Sequence, residues 1–268
     1  ARLVHEFVDL GMSPLCESFL PADATNAMEP FYPLKVYVCD TCLLVQLQEY
    51  VSPVDIFTEY AYFSAYSTSW VQHAKDYTDM ISERLSLGSS NYVVELASND
   101  GYLLQHFVAK GIPCLGVEPA LNVAKVAEER GVPTLTRFFG VETARDMLGE
   151  RGAADLIIGN NVLAQVPDLD DFLGGIRALL APSGTVTMEF PHLLKLMDEN
   201  QFDTIYHEHF SYFSLLATTR LFERHGLRVV DVQQLPTHGG SLRVFAQHAG
   251  VSGVSGAVQT LLEQERQA

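Results

Sequence analysis

Between Tyr92 and Phe190 the chain alternates short apolar runs with stretches of helical periodicity, and this alternation narrows the choice of fold more than any other feature. Residues 92–97 (Tyr-Val-Val-Glu-Leu-Ala) read as a buried strand, and a helix is expected over 102–110, closed by Gly111. Residues 114–118 form a second strand, 121–130 a helix ended by Gly131, and 134–137 a third strand. A strand over 155–160, a helix over 169–180 stopped by Ala181-Pro182-Ser183-Gly184, and a strand over 185–190 continue the pattern. Strands joined in this way must lie parallel, because a parallel pair needs a crossover, and the helices then cover both faces of the sheet. Farther on, a helix over 215–224 precedes strands at 227–233 and 241–247, whose connection is too short for a helix. That last pair is expected to be antiparallel.

The flanks differ in character. Residues 1–87 are dense in aromatics and broken by Pro14, Pro21, Pro30, Pro33 and Pro53, which predicts a small lobe of extended pieces and turns, with a helical pattern over 75–87. Gly88-Ser89-Ser90-Asn91 marks the boundary to a larger domain over 88–249. Residues 250–268 read as the start of a further, truncated domain, and the opening at Ala1, followed at once by an apolar run, reads as a missing start. With 17 Lys and Arg against 33 Asp and Glu, the net charge of −16 repels a phosphate backbone, so nucleic acid is not an expected partner. No window reaches the roughly 18 uninterrupted apolar residues of a bilayer span, so no membrane is expected either. Four cysteines and no secretory signal point to a reducing, cytoplasmic setting.

Five segments carry chemistry. Glu95-Leu96-Ala97-Ser98-Asn99-Asp100-Gly101 runs from a strand end through a small-residue loop into a helix, the place where open α/β sheets bind nucleotide-like ligands. Ala97 and Asn99 stand where a dinucleotide loop needs glycine and Asp100 would repel a pyrophosphate, so a ligand with a positive sulfonium and an amino-acid head fits better; a tight turn is the alternative. Glu118 lies nineteen positions past Asn99, near the offset at which an acidic side chain meets a ribose diol. Asn160 and Asn161 end the fourth strand and offer amides to cofactor or acceptor, or form a simple turn. Tyr206-His207-Glu208-His209-Phe210 concentrates imidazole, carboxylate and phenol and is the best catalytic candidate, the alternative being buried structural hydrogen bonding. In Thr237-His238-Gly239-Gly240-Ser241-Leu242-Arg243 the glycines allow close backbone approach, while His238, Ser241 and Arg243 suit anionic or hydroxylated groups; a hairpin turn wants the same glycines. Cys39-Asp40-Thr41-Cys42 supplies two thiolates, half of a tetrahedral zinc site, with a redox pair as runner-up.

An open parallel sheet finished by an antiparallel hairpin resembles class I methyltransferases. More closely, the chain resembles, essentially end to end, the sugar C-methyltransferases that act on dTDP-linked 4-keto deoxysugars in antibiotic biosynthesis. The resemblance rests on Leu10-Gly11-Met12-Ser13-Pro14-Leu15 with Cys39 and Cys42, on Phe57-Thr58-Glu59-Tyr60-Ala61-Tyr62-Phe63-Ser64, on the 95–101 loop, and above all on the segments beginning at Tyr206 and His238. It implies a zinc-ribbon-like lobe ahead of a Rossmann-like α/β domain, with structural zinc on Cys39, Cys42 and an upstream pair. It also implies S-adenosylmethionine on Glu95, Ala97, Asn99, Asp100, Gly101, Glu118, Asn160 and Asn161, and an enzyme working on a dTDP-ketosugar through an enolate; the sequence leaves the oligomeric state open, with a monomer favoured. His209 is then the general base, Glu208 its orienting partner, and Tyr60 or Tyr206 the donor to the enolate oxygen; Gln165, His238, Gly240, Ser241 and Arg243 hold the sugar nucleotide. Gln165 departs from the family, in which a histidine stands, and the family continues into a second α/β domain beyond this end. An O- or N-methyltransferase and a binding module without turnover are the rival readings.

Overall fold

The computed structural model describes residues 3–16 and 18–268, so that Ala1, on which the expectation of a missing start rests, lies outside the described residues. The small lobe opens with an antiparallel meander of β1 (His5–Ser13), β2 (Tyr32–Val38) and β3 (Val45–Leu47). A short helix α1 (Pro53–Phe57) follows, with Ser52 as its N-cap and Pro53 at the first position, where the missing N–H costs nothing. The long helix α2 (Thr68–Leu85) is capped by Ser67 and ends on Ser86 in the left-handed region, starting seven residues earlier than the periodicity predicts.

Then come β4 (Val93–Leu96), α3 (Leu104–Ala109), β5 (Cys114–Val117), α4 (Leu121–Glu129), β6 (Thr134–Leu135), α5 (Val141–Arg151), β7 (Ala154–Asn160), α6 (Leu169–Leu179) and β8 (Leu180–Pro191). After α7 (Leu193–Asp198) and the two-residue β9 (Ser211–Tyr212) the chain forms α8 (Leu215–Arg224), β10 (Leu227–Leu235), β11 (Ser241–His248) and α9 (Gly256–Gln267). Seven strands make one sheet in the order β10-β11-β8-β7-β4-β5-β6. β6, β5, β4, β7 and β8 run parallel, and β11 and β10 are antiparallel additions, as the connections predict. Alternate side chains feed two cores. Val94, Leu96 and Ile157 pack on one face with α5, α6, α8 and α9, while Val93, Leu156 and Ile158 pack on the other with Tyr77 and Ile81 of α2 and Phe107 of α3.

The expected boundary at residue 88 is crossed in both directions. α2 covers the large sheet, and β9 closes the small one, giving the order β1-β2-β3-β9. Gln46 pairs with Ser211, the Leu47 N–H donates to the Phe210 carbonyl at 2.9 Å, and Leu193, Leu196, Ile205 and Tyr212 complete the small core. The end of the chain is likewise integral. Val258, Leu261 and Leu262 of α9 belong to the main core, and Glu265 accepts from the N–H groups of Leu215 and Leu216 at 2.6 and 2.7 Å, capping α8 from fifty residues away.

Candidate active site

A cavity of about 520 Å³ opens at the carboxyl ends of the parallel strands. Its floor is made by Ala97, Asn99, Glu118, Asn160 and Asn161. Ala97, Asn99 and Asn161 have positive φ (54°, 49° and 55°), and an alanine held there marks backbone strain that the surrounding contacts must over-determine. Those contacts are visible. The Asn99 N–H donates to Glu118 Oε2 at 2.9 Å and the Ala120 N–H to Glu118 Oε1 at 2.8 Å, so Glu118 braces the loop as well as facing the cavity. Burial pushes its carboxyl up, against the pull of the two amide bonds.

Over this floor lies the segment 57–64, contributing Phe57, Tyr60, Tyr62 and Ser64. It is pinned by the very residues expected to bind cofactor. Asn99 Oδ1 accepts from the Ser64 N–H at 2.9 Å, Asn99 Nδ2 donates to the Tyr62 carbonyl at 3.0 Å, and Asp100 Oδ2 accepts from the Ala65 N–H at 3.2 Å. Asp100 also meets Arg130 at 2.9 Å. Glu95, Asp100 and Gly101 stand behind the loop and do not line the cavity. Glu95 is fully buried with Oε2 lacking a partner, and burial followed by the charges of Glu118 and Asp100 holds its carboxyl well above the usual range. Gly101 is required for its fit, since its φ is +77° and a Cβ would lie 3.0 Å from Val132 Cγ2.

On the far wall Tyr206 and His209 meet. The Tyr206 hydroxyl is 2.9 Å from His209 Nε2, and His209 Nδ1 is 3.1 Å from the Thr204 carbonyl, which only an N–H can satisfy. Nδ1 therefore carries the proton and Nε2 accepts from the phenol. Burial pushes this imidazole down to about 4, so it is neutral. Glu208, expected to orient His209, instead has its carboxylate 3.3 Å from the Tyr60 hydroxyl; Thr204 takes the orienting position because residues 204–209 turn back on themselves, with the His209 N–H bonded to the Tyr206 carbonyl. His207, outside the cavity, contacts the Pro33 carbonyl at 3.2 Å.

Of the residues expected to hold the acceptor, Gln165 and His238 line the cavity. Gly240, Ser241 and Arg243 do not: Gly240 accepts from the His192 N–H, Ser241 donates to the Thr237 carbonyl, and Arg243 is buried against Glu189 at 2.5 Å. An anionic ligand cannot reach a guanidinium already neutralised inside the sheet, so the expected role for Arg243 is corrected to an internal one. Trp70 and Tyr102, not singled out from the sequence, also line the cavity; for Trp70 the aromatic density of residues 57–70 is the available signal, and for Tyr102 its place directly after the 95–101 loop.

Residues 70–232 match the family model described as "Methyltransferase domain", and residues 1–57 match one described as "Putative zinc binding domain". The chain belongs to the methyltransferase family. Its relatives include the C-methyltransferase NovU of Streptomyces niveus, 41% identical over 262 residues, which are 97% of this chain and 62% of that one, so this methyltransferase spans less than two thirds of that relative. Among solved structures it is similar to the magnesium protoporphyrin IX methyltransferase of Synechocystis PCC 6803, determined with bound SAH (TM-score 0.51, 13% identity, 67% of this chain and 83% of that one). It is also similar to an S-adenosylmethionine-dependent methyltransferase of Clostridium acetobutylicum (TM-score 0.52, 11% identity, 67% and 92%). At these identities the likeness is one of fold, the class I methyltransferase fold with its antiparallel final hairpin.

In the methyltransferase's small lobe, Cys39 and Cys42 sit together. N–H groups of Cys42 and Thr41 point at the Cys39 sulfur and lower its pKa despite burial, as in a metal-binding knuckle, whereas burial raises Cys42. Among the described residues no third histidine, cysteine or carboxylate joins them, so the two thiols fit half of a tetrahedral zinc set.

Proposed function

We propose that this methyltransferase uses S-adenosylmethionine to methylate carbon beside the carbonyl of a nucleotide-linked 4-keto deoxysugar, a dTDP sugar of antibiotic biosynthesis. The observation that carries the reading is that a neutral imidazole and a phenol, bonded to each other, face the same cavity as the strand-tip amides and Glu118. The kinship with a C-methyltransferase adds to it. The floor suits the cofactor: both amide atoms of Asn160 and Oδ1 of Asn161 are buried without partners, and Glu118 keeps lone pairs for a ribose diol. When bound, S-adenosylmethionine supplies the electrophilic methyl group, with Ala97, Asn99, Glu118, Asn160 and Asn161 as the residues that would hold it.

The chain's own groups supply what carbon chemistry needs. A carbonyl oxygen arriving near Tyr206 takes the phenol's hydrogen bond, which frees the Nε2 lone pair of His209 for the proton on the adjacent carbon. The C–H bonding pair then becomes the enolate, its oxygen held by Tyr206, and the imidazolium stays anchored through Nδ1–H to Thr204. The enolate's negative charge offsets the burial that keeps His209 neutral at rest. General-base catalysis of this kind contributes about 10²–10⁴-fold, and one preorganised donor about 10²–10³-fold. Glu208 accepts the single hydrogen of the Tyr60 hydroxyl and so holds that ring beside the cavity, which leaves Tyr206 as the donor to the enolate oxygen. Gln165 offers hydrogen bonds to the acceptor but no basic nitrogen.

The test is solvent exchange. Incubated in deuterium oxide with the ketosugar nucleotide and S-adenosylhomocysteine, the protein should wash deuterium into unmethylated sugar at one carbon. Methylation of oxygen or nitrogen without exchange would replace this reading.

A further inference from the structure

Away from Tyr206 and His209, the densest group of buried ionisable side chains surrounds Glu189, at the carboxyl end of β8. Its carboxylate is inaccessible to solvent and accepts from three elements. His73 Nε2 of α2 lies 2.9 and 3.0 Å from its two oxygens, Arg243 Nη2 of β11 lies 2.5 Å from Oε2, and the Thr237 hydroxyl lies 3.0 Å from Oε1. Its main chain holds a fourth, because the Asn161 N–H donates to the Glu189 carbonyl at 2.7 Å. Burial alone would raise this carboxyl, but the His73 bond and the Arg243 charge outweigh it and hold it below its usual value, so it stays ionised.

None of these four partners except Asn161 lines the cavity, yet His73 and Thr237 each adjoin a residue that does. His73 lies under the indole of Trp70, stacked at 4.9 Å and 18°; Thr237 precedes His238, whose ring meets Trp70 edge-on at 5.1 Å. His238 itself is kept in the left-handed region, at φ 51°. Trp70 and His238, in contact with each other, both line the cavity and form one aromatic part of its wall.

We propose that Glu189 is a positioning residue for the acceptor: it fixes Trp70, through His73, and His238, through Thr237, as the wall against which the acceptor's ring is seated. This rests on the reading of the cavity as a methyltransferase site whose floor takes the cofactor, and it assigns the Trp70–His238 part of the lining to the acceptor. Arg243 is the counter-charge that lets the carboxylate stay ionised out of water, and its guanidinium, 4.5 Å over the Tyr77 ring, is packed for that purpose. A rigid aromatic wall seats a sugar ring with little ordering cost, whereas a mobile one weakens binding without changing the chemistry.

Trp70 is the single tryptophan of the chain, so its fluorescence reports this wall directly. In Glu189→Gln, and in the milder His73→Gln, acrylamide quenching of Trp70 should rise at least twofold while S-adenosylhomocysteine affinity by calorimetry stays at the wild-type value. With a dTDP-4-keto sugar as acceptor, KM should rise about tenfold and kcat change little. Unchanged quenching in both folded variants, or a parallel loss of S-adenosylhomocysteine affinity, would overturn the assignment. An equal fall in kcat with KM unchanged would do the same. Should the wild-type protein fail to turn over the ketosugar, the proposed function falls, and the quenching comparison still decides whether Glu189 holds the wall.

Discussion

At the scale of single residues, the structural part of His209 and the catalytic part proposed for it can be separated by a pH series. Its pKa of about 4 in the folded chain lies below the ordinary value of 6.5, so the unfolded chain binds the proton more readily. Stability tied to this ring is therefore complete above about pH 6.5 and is lost as pH falls toward 4, amounting to about 2 kcal/mol between pH 7 and pH 5. Urea melts should show His209→Asn losing that part of the pH dependence, the wild-type-minus-variant difference shrinking as pH drops. At neutral pH the same variant should keep S-adenosylhomocysteine binding and lose about 10²–10⁴-fold in turnover, while Tyr206→Phe loses about 10²-fold. Turnover of either variant near the wild-type rate would remove that residue from the chemistry. The pair itself was legible, because few loops carry Tyr, His, Glu and His in four consecutive positions. Its wiring was not: Glu208 sits beside His209 in the chain but bonds toward Tyr60, 148 positions away. Arg243 misled for the same reason, since its partner Glu189 lies on a neighbouring strand that no local pattern connects to it.

At the scale of elements, the strands were readable to within a few residues because buried parallel strands are uninterrupted apolar runs closed by turns. α5 escaped notice since Glu142, Arg145, Asp146, Glu150 and Arg151 dominate it and only Thr143, Ala144 and Met147 are buried. The charged helical stretch of α9 reads as the start of a further domain for a similar reason, yet its Glu265 supplies the missing N-terminal partners of α8 and also meets His192 at 2.7 Å. Glu265→Ala would leave two helix N–H groups and a buried imidazole without their acceptor, and should cost about 3 kcal/mol in chemical unfolding. Glu263→Ala, on the exposed side of the same helix, should cost almost nothing.

At the scale of the whole molecule, the decisive joint is one that two residues make. β9 has no periodicity to betray it, and yet Ser211 and Tyr212 finish the small sheet while His209 stands two positions earlier. Leu47→Ala, beneath that joint, should displace the 204–212 segment. Turnover should then fall about 10²-fold, as a misplacement of about 1 Å does, with cofactor affinity retained because the strand-tip loop is built on β4 and β5. Equal losses of binding and turnover would show that the two regions are not separately held. The sheet of β1, β2 and β3 is thus a splint for a segment encoded about 165 positions after β3. A chimera that swaps this lobe between homologues without also swapping the stretch around 205–213 should assemble a sound donor pocket and an idle enzyme.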